Sequence, residues 1–239
     1  MVGNRFLERG SMDEQMDDLQ VHGPLVDQTL RELDSINRWL GGNQVTLIGL
    51  QRLLENCPDR TNISIADLGC GSGKMLQLIS KWGTRREMGL NLLGLDANEY
   101  IVQYATNHAT GYEDLNFRHV NILDHEFRQQ RFDIITSTLF THHFKKSQLI
   151  ELITSWLQQS KYGLVINDLH RHWFAYYAIK VITTVSSKSE MVRVDAPISV
   201  LRGFVRSDWV EIMKACNIKQ YHLSWHWAFR WLLVIPKAY

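Results

Sequence analysis

Three glycines at alternate positions, Gly69, Gly71 and Gly73, follow the acidic Asp67, which ends the apolar run from Ile63, and an apolar-periodic segment opens at Lys74. Glycine tolerates positive φ and lets a ligand approach the backbone closely, and a helix beginning at Lys74 presents unpaired N–H groups to a carboxylate. A dinucleotide fingerprint has its third glycine three residues after the second, whereas Gly73 follows Gly71 by two. The Asp67 carboxylate inside the loop suits a cationic ligand better than a pyrophosphate. A second acidic residue, Asp96, closes the run from Leu93. Alone it reads as a helix cap before Asn98. Paired with the glycine loop, it reads as the acceptor of two hydrogen bonds from a ribose diol.

A second group of residues has acid–base chemistry. Thr138 to His143 carries His142 and His143, and an imidazole that titrates near neutrality can take a proton from a nucleophile; capping a helix or bonding a loop carbonyl is the structural alternative. Asp168 is followed by His170, Arg171 and His172, then Trp173, Tyr176 and Tyr177. At helical spacing His170, Trp173 and Tyr177 share a face, an aromatic wall with a polar handle, and His170 is the first choice of base; lid packing is the alternative for the aromatics. Arg171 and Arg202 are candidate substrate contacts. Arg193, Arg202 and Arg206 surround Pro197 and can bind an anionic group or pair with Asp195 and Asp208. His222 and His226 share a strand face without a third ligand, and no metal is expected.

The elements that must position these groups follow from periodicity. Residues 1 to 23 are polar and weakly periodic, a flexible arm or short lead-in helix. Leu25, Leu30, Leu33, Ile36, Trp39 and Leu40 recur near helical spacing up to Gly41 and Gly42, and a second helix spans roughly 43 to 56, before Pro58. Strands are expected at 63 to 67, 90 to 96, 115 to 120, 132 to 138 and 162 to 168, with helices at 74 to 82, 98 to 108 and 146 to 159 between them. This alternation implies a parallel sheet covered on both faces. Residues 170 to 206 hold two helical stretches and a Pro197 loop, more than a plain crossover needs, and are placed to form a lid. Gln220 to His226 and Phe229 to Ile235 read as an antiparallel hairpin.

Composition narrows the partners. The 26 basic and 25 acidic residues leave no field for a polyanion such as nucleic acid, and a hydrophobic share of 45% supports a real core. Cys57, Cys70 and Cys216 form no CxxC pair, which suggests a reducing compartment. There is no apolar run of about 18 residues, and Glu8, Arg9, Asp13 and Glu14 stand where a secretory signal needs an apolar stretch, so a cytoplasmic location without integral membrane contact is expected.

Asp67 to Gly73 resembles the first motif of class I S-adenosylmethionine-dependent methyltransferases, and Gly94 to Asp96 the second. Phe132 to Ile135 and Gly163 to Asp168 are similar to their fourth and fifth strands. The resemblance covers about residues 45 to 168; beyond it, Asp168 to Tyr177 and Trp227 to Trp231 resemble a small-molecule branch found among bacterial natural-product enzymes. It implies an α/β fold: a doubly wound, mostly parallel seven-stranded sheet with a C-terminal antiparallel hairpin and a helical lid. An N-terminal helical arm over 1–44 would precede a methyltransferase domain over 45–239.

The implied cofactor is S-adenosyl-L-methionine. Asp67 and Gly69 would lie near its amino group, Cys70, Gly71 and Gly73 along it, Asp96 and Ala97 at the ribose, and Thr138 under the methionine end. Where the family often has Asp for the adenine amine, this chain has Asn121, followed by Ile122; Asp124 competes for that place. The leading expectation is O-methylation of a small aromatic or polyketide-like hydroxyl compound. C- or N-methylation of a quinone-like molecule and a non-catalytic cofactor-binding partner are alternatives, and the glycine spacing weighs against a nicotinamide dehydrogenase. Oligomeric state stays open.

Overall fold

Seven extended runs form one sheet: β1 (Ile63–Leu68), β2 (Leu90–Asp96), β3 (Leu115–His119), β4 (Phe132–Thr138), β5 (Ser160–Leu169), β6 (His222–His226) and β7 (Arg230–Pro236). The computed structural model describes residues 4–55, 57 and 61–237. The strand order is β3-β2-β1-β4-β5-β7-β6, with β7 antiparallel to both neighbours and the other pairs parallel. Order reverses between β1 and β4, so a crevice opens at the carboxyl ends of those strands, where ligands bind in such sheets.

Alternating side chains on the central strands feed two cores. Ile65, Ile134, Val165 and Leu232 pack with Leu50 and Leu53 of α2 (Gly42–Leu54) and with Leu76 and Ile79 of α3 (Lys74–Thr84). Their chain neighbours Ala66, Ile135, Leu164 and Leu233 point the other way. They pack on Leu152 and Trp156 of α5 (Lys146–Gln159) and on Trp209 and Ile212 of α8 (Arg206–Ala215). With both faces covered, the strands read as near-continuous apolar runs. Between β2 and β3 lies α4 (Glu99–His108), capped by the Asn98 side chain, which accepts from Ile101 N at 3.2 Å.

The segments outside this scaffold form a roof over the crevice. The expected first helix is α1 (Pro24–Trp39), which stops at the left-handed Gly41. The second, α2, ends at Leu54 with Glu55 as its C-cap, slightly before the expected 56; Asn56 and Pro58 lie outside the described residues. The insertion consists of α6 (Trp173–Ser186) and α7 (Glu190–Arg202). Pro197 lies inside α7 rather than in a loop. It forfeits one ladder hydrogen bond there without ending the helix. Residues 4–23, expected as part of a flexible arm or short lead-in helix, make two short 3-10 turns and lie against α7, with Gly10 N donating to Leu201 O at 2.9 Å.

Trp209 is fully buried and stacks on Phe204 with centroids 4.1 Å apart. Replacing it with alanine removes the largest side chain between α8 and the sheet. Urea denaturation of Trp209→Ala should show a loss of about 3–5 kcal/mol, provided the slope of the transition is unchanged.

Candidate active site

The glycine loop leaves β1 as the sequence implies. Gly69, Gly71 and Gly73 have φ of 67°, 52° and 73°, a region closed to most side chains. A Cβ on Gly69 would strike the Phe140 ring at 2.3 Å, whereas at Gly71 it would meet nothing within 4 Å. The open space over Gly71 belongs to a cavity of about 860 Å³ that runs beneath α1, α6 and α7. Asp96 borders it: one carboxylate oxygen accepts from Gly71 N at 3.1 Å and the other from Asn98 N at 3.0 Å. Burial pushes the Asp96 pKa up.

Of the expected cofactor positions, Gly69, Gly71, Asp96, Ala97, Asn121 and Ile122 line this cavity. Asn121 turns its side chain back to accept from Leu123 N at 3.0 Å, and Asp124 is exposed off the wall. Asp67, Cys70, Gly73 and Thr138 stand behind the wall. Thr138 shares a 2.8 Å hydrogen bond with Thr46, and Thr136 donates to Asp67 at 2.8 Å. Asp67 is fully buried, which pushes its pKa up to about 7 against the Thr136 hydrogen bond, with Asp96 adding to the rise.

The acid–base groups come together in an arrangement the sequence reading did not foresee. Asp168, fully buried at the end of β5, accepts from His142 Nδ1 at 2.7 Å, from His142 N at 3.0 Å and from Thr141 Oγ1. His142 Nε2 then faces Glu14 Oε1 at 3.5 Å, and His143 Nδ1 meets Asp17. Burial disfavours the charged form of His142, but Asp168 and Glu14 outweigh it and raise the pKa to about 9. Asp168 is correspondingly held below the usual carboxylate range: its burial is overcome by His142 and Thr141.

Two of the three acids facing the imidazoles, Glu14 and Asp17, come from the N-terminal arm. Glu14 Oε2 accepts from Ser199 at 2.6 Å, Arg202 donates to Asp17, and Gln15 N and Met16 N donate to Asp195 at 2.9 and 3.1 Å. Arg9 closes the arm onto the site by donating to His142 O at 2.9 Å, Phe144 O at 3.1 Å and Arg202 O at 2.8 Å. The donor atoms of Glu14, His142 and His143 lie within 4.8 Å of one another, but the cation among them is Arg202, whose Nη1 is 3.6 Å from Glu14 Oε1.

The remaining expectations separate. His170 lines the cavity, yet Trp225 Nε1 donates to its Nδ1 at 3.0 Å. Burial and the nearby His172 and Arg171 charges lower its pKa to about 4. It is therefore a neutral ring whose remaining nitrogen, Nε2, is a donor rather than a base. Arg171 does not reach the cavity. It bonds Phe6 O at 3.1 Å, Gly203 O at 2.6 Å and Asp208 at 2.9 Å, and so anchors the arm. Trp173 and Tyr177 are exposed on the outer face of α6, and His170 does not share a helical face with them, because the helix begins only at Trp173 and His170 precedes it in a bridge to Phe204. The inner face is Phe174, Ala178, Ile179 and Ile182. Arg202 lines the cavity with its guanidinium spent on Asp17, His142 O and His143 O.

This sheet order and site place the chain among folds of the class I S-adenosylmethionine-dependent methyltransferases, and solved structures agree. The plantazolicin methyltransferase BpumL in complex with SAH superposes with a TM-score of 0.61 at 21% identity, covering 84% of this chain and 73% of that one. The CurJ carbon methyltransferase gives 0.59 at 14% identity, over 82% of this chain and 54% of that one. Magnesium protoporphyrin IX methyltransferase (ChlM) from Synechocystis PCC 6803 with bound SAH gives 0.50 at 14%, over 98% and 91%. At such identities the likeness is one of fold. A family model described as a methyltransferase domain matches residues 59–220, and the chain belongs to that family. No curated protein matches the sequence at a significant level.

Two measurements probe this geometry. The raised Asp67 pKa means that its burial costs stability increasingly as pH climbs from 3.8 to about 7. Ligand-free Asp67→Asn should lose less melting temperature over that window than the parent, and parallel curves would contradict the assignment. Arg9→Ala should free the arm. Hydrogen exchange is expected to rise by about tenfold or more across residues 9–20 while that of β1 and β4 stays unchanged.

Proposed function

We propose that the chain is a small-molecule methyltransferase that uses S-adenosylmethionine to methylate an oxygen of a largely apolar, aromatic or polyketide-like acceptor. The observation that carries this reading is the continuity of the cavity from the glycine loop and Asp96 to His142, with an apolar roof from α1 and α6. The residues fit the cofactor: the open space over Gly71 would admit its methionine part, and Asp96 and Asn121, which line the same cavity, would hold the ribose and the adenine.

The bound cofactor supplies an electrophilic methyl group on a sulfonium. This chain's residues align the acceptor and manage its proton. With Nδ1 held by Asp168 and Nε2 facing Glu14, His142 and Glu14 line the cavity together, and the proton of the acceptor hydroxyl goes to this pair at Nε2. Its charge environment comes from Asp168 on β5, Glu14 on the arm, His143 beside it, and Arg9 and Arg202 on its carbonyl oxygen. Neutral His170 donates through Nε2 and orients the acceptor. An acceptor seated against the apolar roof would displace water from it, which would protect the reactive methyl and strengthen the local electrostatics.

The decisive assay incubates the protein and labelled S-adenosylmethionine with a panel of phenols and hydroxylated polyketides and locates the methyl by mass fragmentation. Methyl on oxygen is the expected product; transfer to carbon or nitrogen would replace the acceptor chemistry but keep the cofactor. Turnover should rise with pH towards about 9 as His142 loses its proton. His142→Gln should lower kcat by roughly 10²–10⁴ and flatten that profile, with S-adenosylhomocysteine affinity unchanged.

A further inference from the structure

Arg230 is a cavity residue that the proton transfer leaves unused. It opens β7 opposite Leu169, at the carboxyl end of β5, and is 3% exposed. Its Nη2 donates to the neutral Asn37 Oδ1 at 2.8 Å, while Nε and Nη1 have no hydrogen-bond partner among the described residues. Burial pulls its pKa down to about 10, and the carboxylate whose field opposes this is Asp168, already engaged by His142 and Thr141. A guanidinium shut away from water with open donors is costly unless something completes it. The cavity's other arginine, Arg202, is already spent on Asp17 and two carbonyls.

The wall nearby is apolar. Along α6 the inner stripe runs from Phe174 to Ile182, a length of about 12 Å at 1.5 Å per residue, and α1 answers it with Leu33 and Ile36. Leu33 and Phe174 face the cavity and yet are exposed, as expected of residues that a ligand covers.

The geometry points to an amphiphilic organic acid as the methyl acceptor: an anionic oxygen, of a carboxylate or an acidic enol, lies on Arg230 Nε and Nη1, and an apolar body lies between α1 and α6. This rests on the acceptor occupying the cavity assigned above. The cofactor's own carboxylate is the rival anion, and the sheet weighs against it. Asp96 ends β2 and the glycine loop ends β1, whereas β4 and β5 stand between β1 and β7, a separation of about 14 Å at 4.8 Å per strand. Donors on a planar fork suit a carboxylate or enolate geometry.

The test measures binding of dodecanoate and dodecanol, each below its micelle threshold, to protein saturated with S-adenosylhomocysteine by titration calorimetry. Wild type should bind dodecanoate at least about tenfold tighter than dodecanol. Arg230→Gln should erase that preference, Arg230→Lys should keep part of it, and S-adenosylhomocysteine affinity should stay within about twofold in both. Equal affinity for acid and alcohol in wild type overturns the inference. So does an unchanged preference in Arg230→Gln, or a loss of S-adenosylhomocysteine affinity in that variant, which would give Arg230 to the cofactor. Should the Gln variant not fold, the Lys variant and the wild-type comparison still decide. Failure of wild type to bind S-adenosylhomocysteine, with acid preference intact, would instead remove the methyltransferase reading and leave Arg230 as an acid anchor.

Discussion

Asp168 is a carboxylate with no access to water, and the site is organised around neutralising it. A buried anion is tolerated when paired and hydrogen-bonded. His142 supplies the charge through Nδ1, and Thr141 and two backbone N–H groups supply further donors. Once protonated, the imidazole needs a second partner on its far side, which Glu14 provides from a segment remote in sequence. Charge and architecture are therefore coupled, because Glu14, which ties the arm to Ser199, also helps set the charge state of His142.

The roof is fastened at several independent points. Ser72 in the glycine loop donates to Asp34 of α1 at 2.7 Å, so that loop and the first helix hold one another. Ser187 donates to Glu32, and Thr29 shares a 2.7 Å hydrogen bond with Ser189, which joins α1 to the turn between α6 and α7. Arg171 and Arg202, both candidate substrate contacts by position, instead clamp the arm. A guanidinium that satisfies several carbonyls is a structural tie, and its residue type alone does not distinguish that use from anion recognition. Arg230 is the contrasting case: a cation inside a run otherwise as apolar as Phe229 to Ile235, the signal by which the sequence marks it.

Strand and helix positions were legible because periodicity and glycine placement are local properties. The register of the glycine loop, the end of β2 at Asp96 and the antiparallel hairpin follow from residues within a few positions of one another. The face that α6 turns inward was not legible. It depends on how the helix packs against α7 and the arm, which turns Phe174 and Ala178 to the cavity and leaves Trp173 and Tyr177 outside it. Glu14 and Asp17 were missed for a similar reason, since acidic residues in a weakly periodic stretch look like a solvated surface until partners more than a hundred residues away meet them.

The sequence by itself determined the doubly wound sheet, the glycine loop at its switch point and the acid that closes the second strand, because each is encoded by neighbours along the chain. Tertiary structure alone decided which imidazole is charged, which arginine is spent and which is open, and that the arm completes the site. Those properties belong to burial and pairing between distant segments, and a side chain acquires them only when water has been excluded around it.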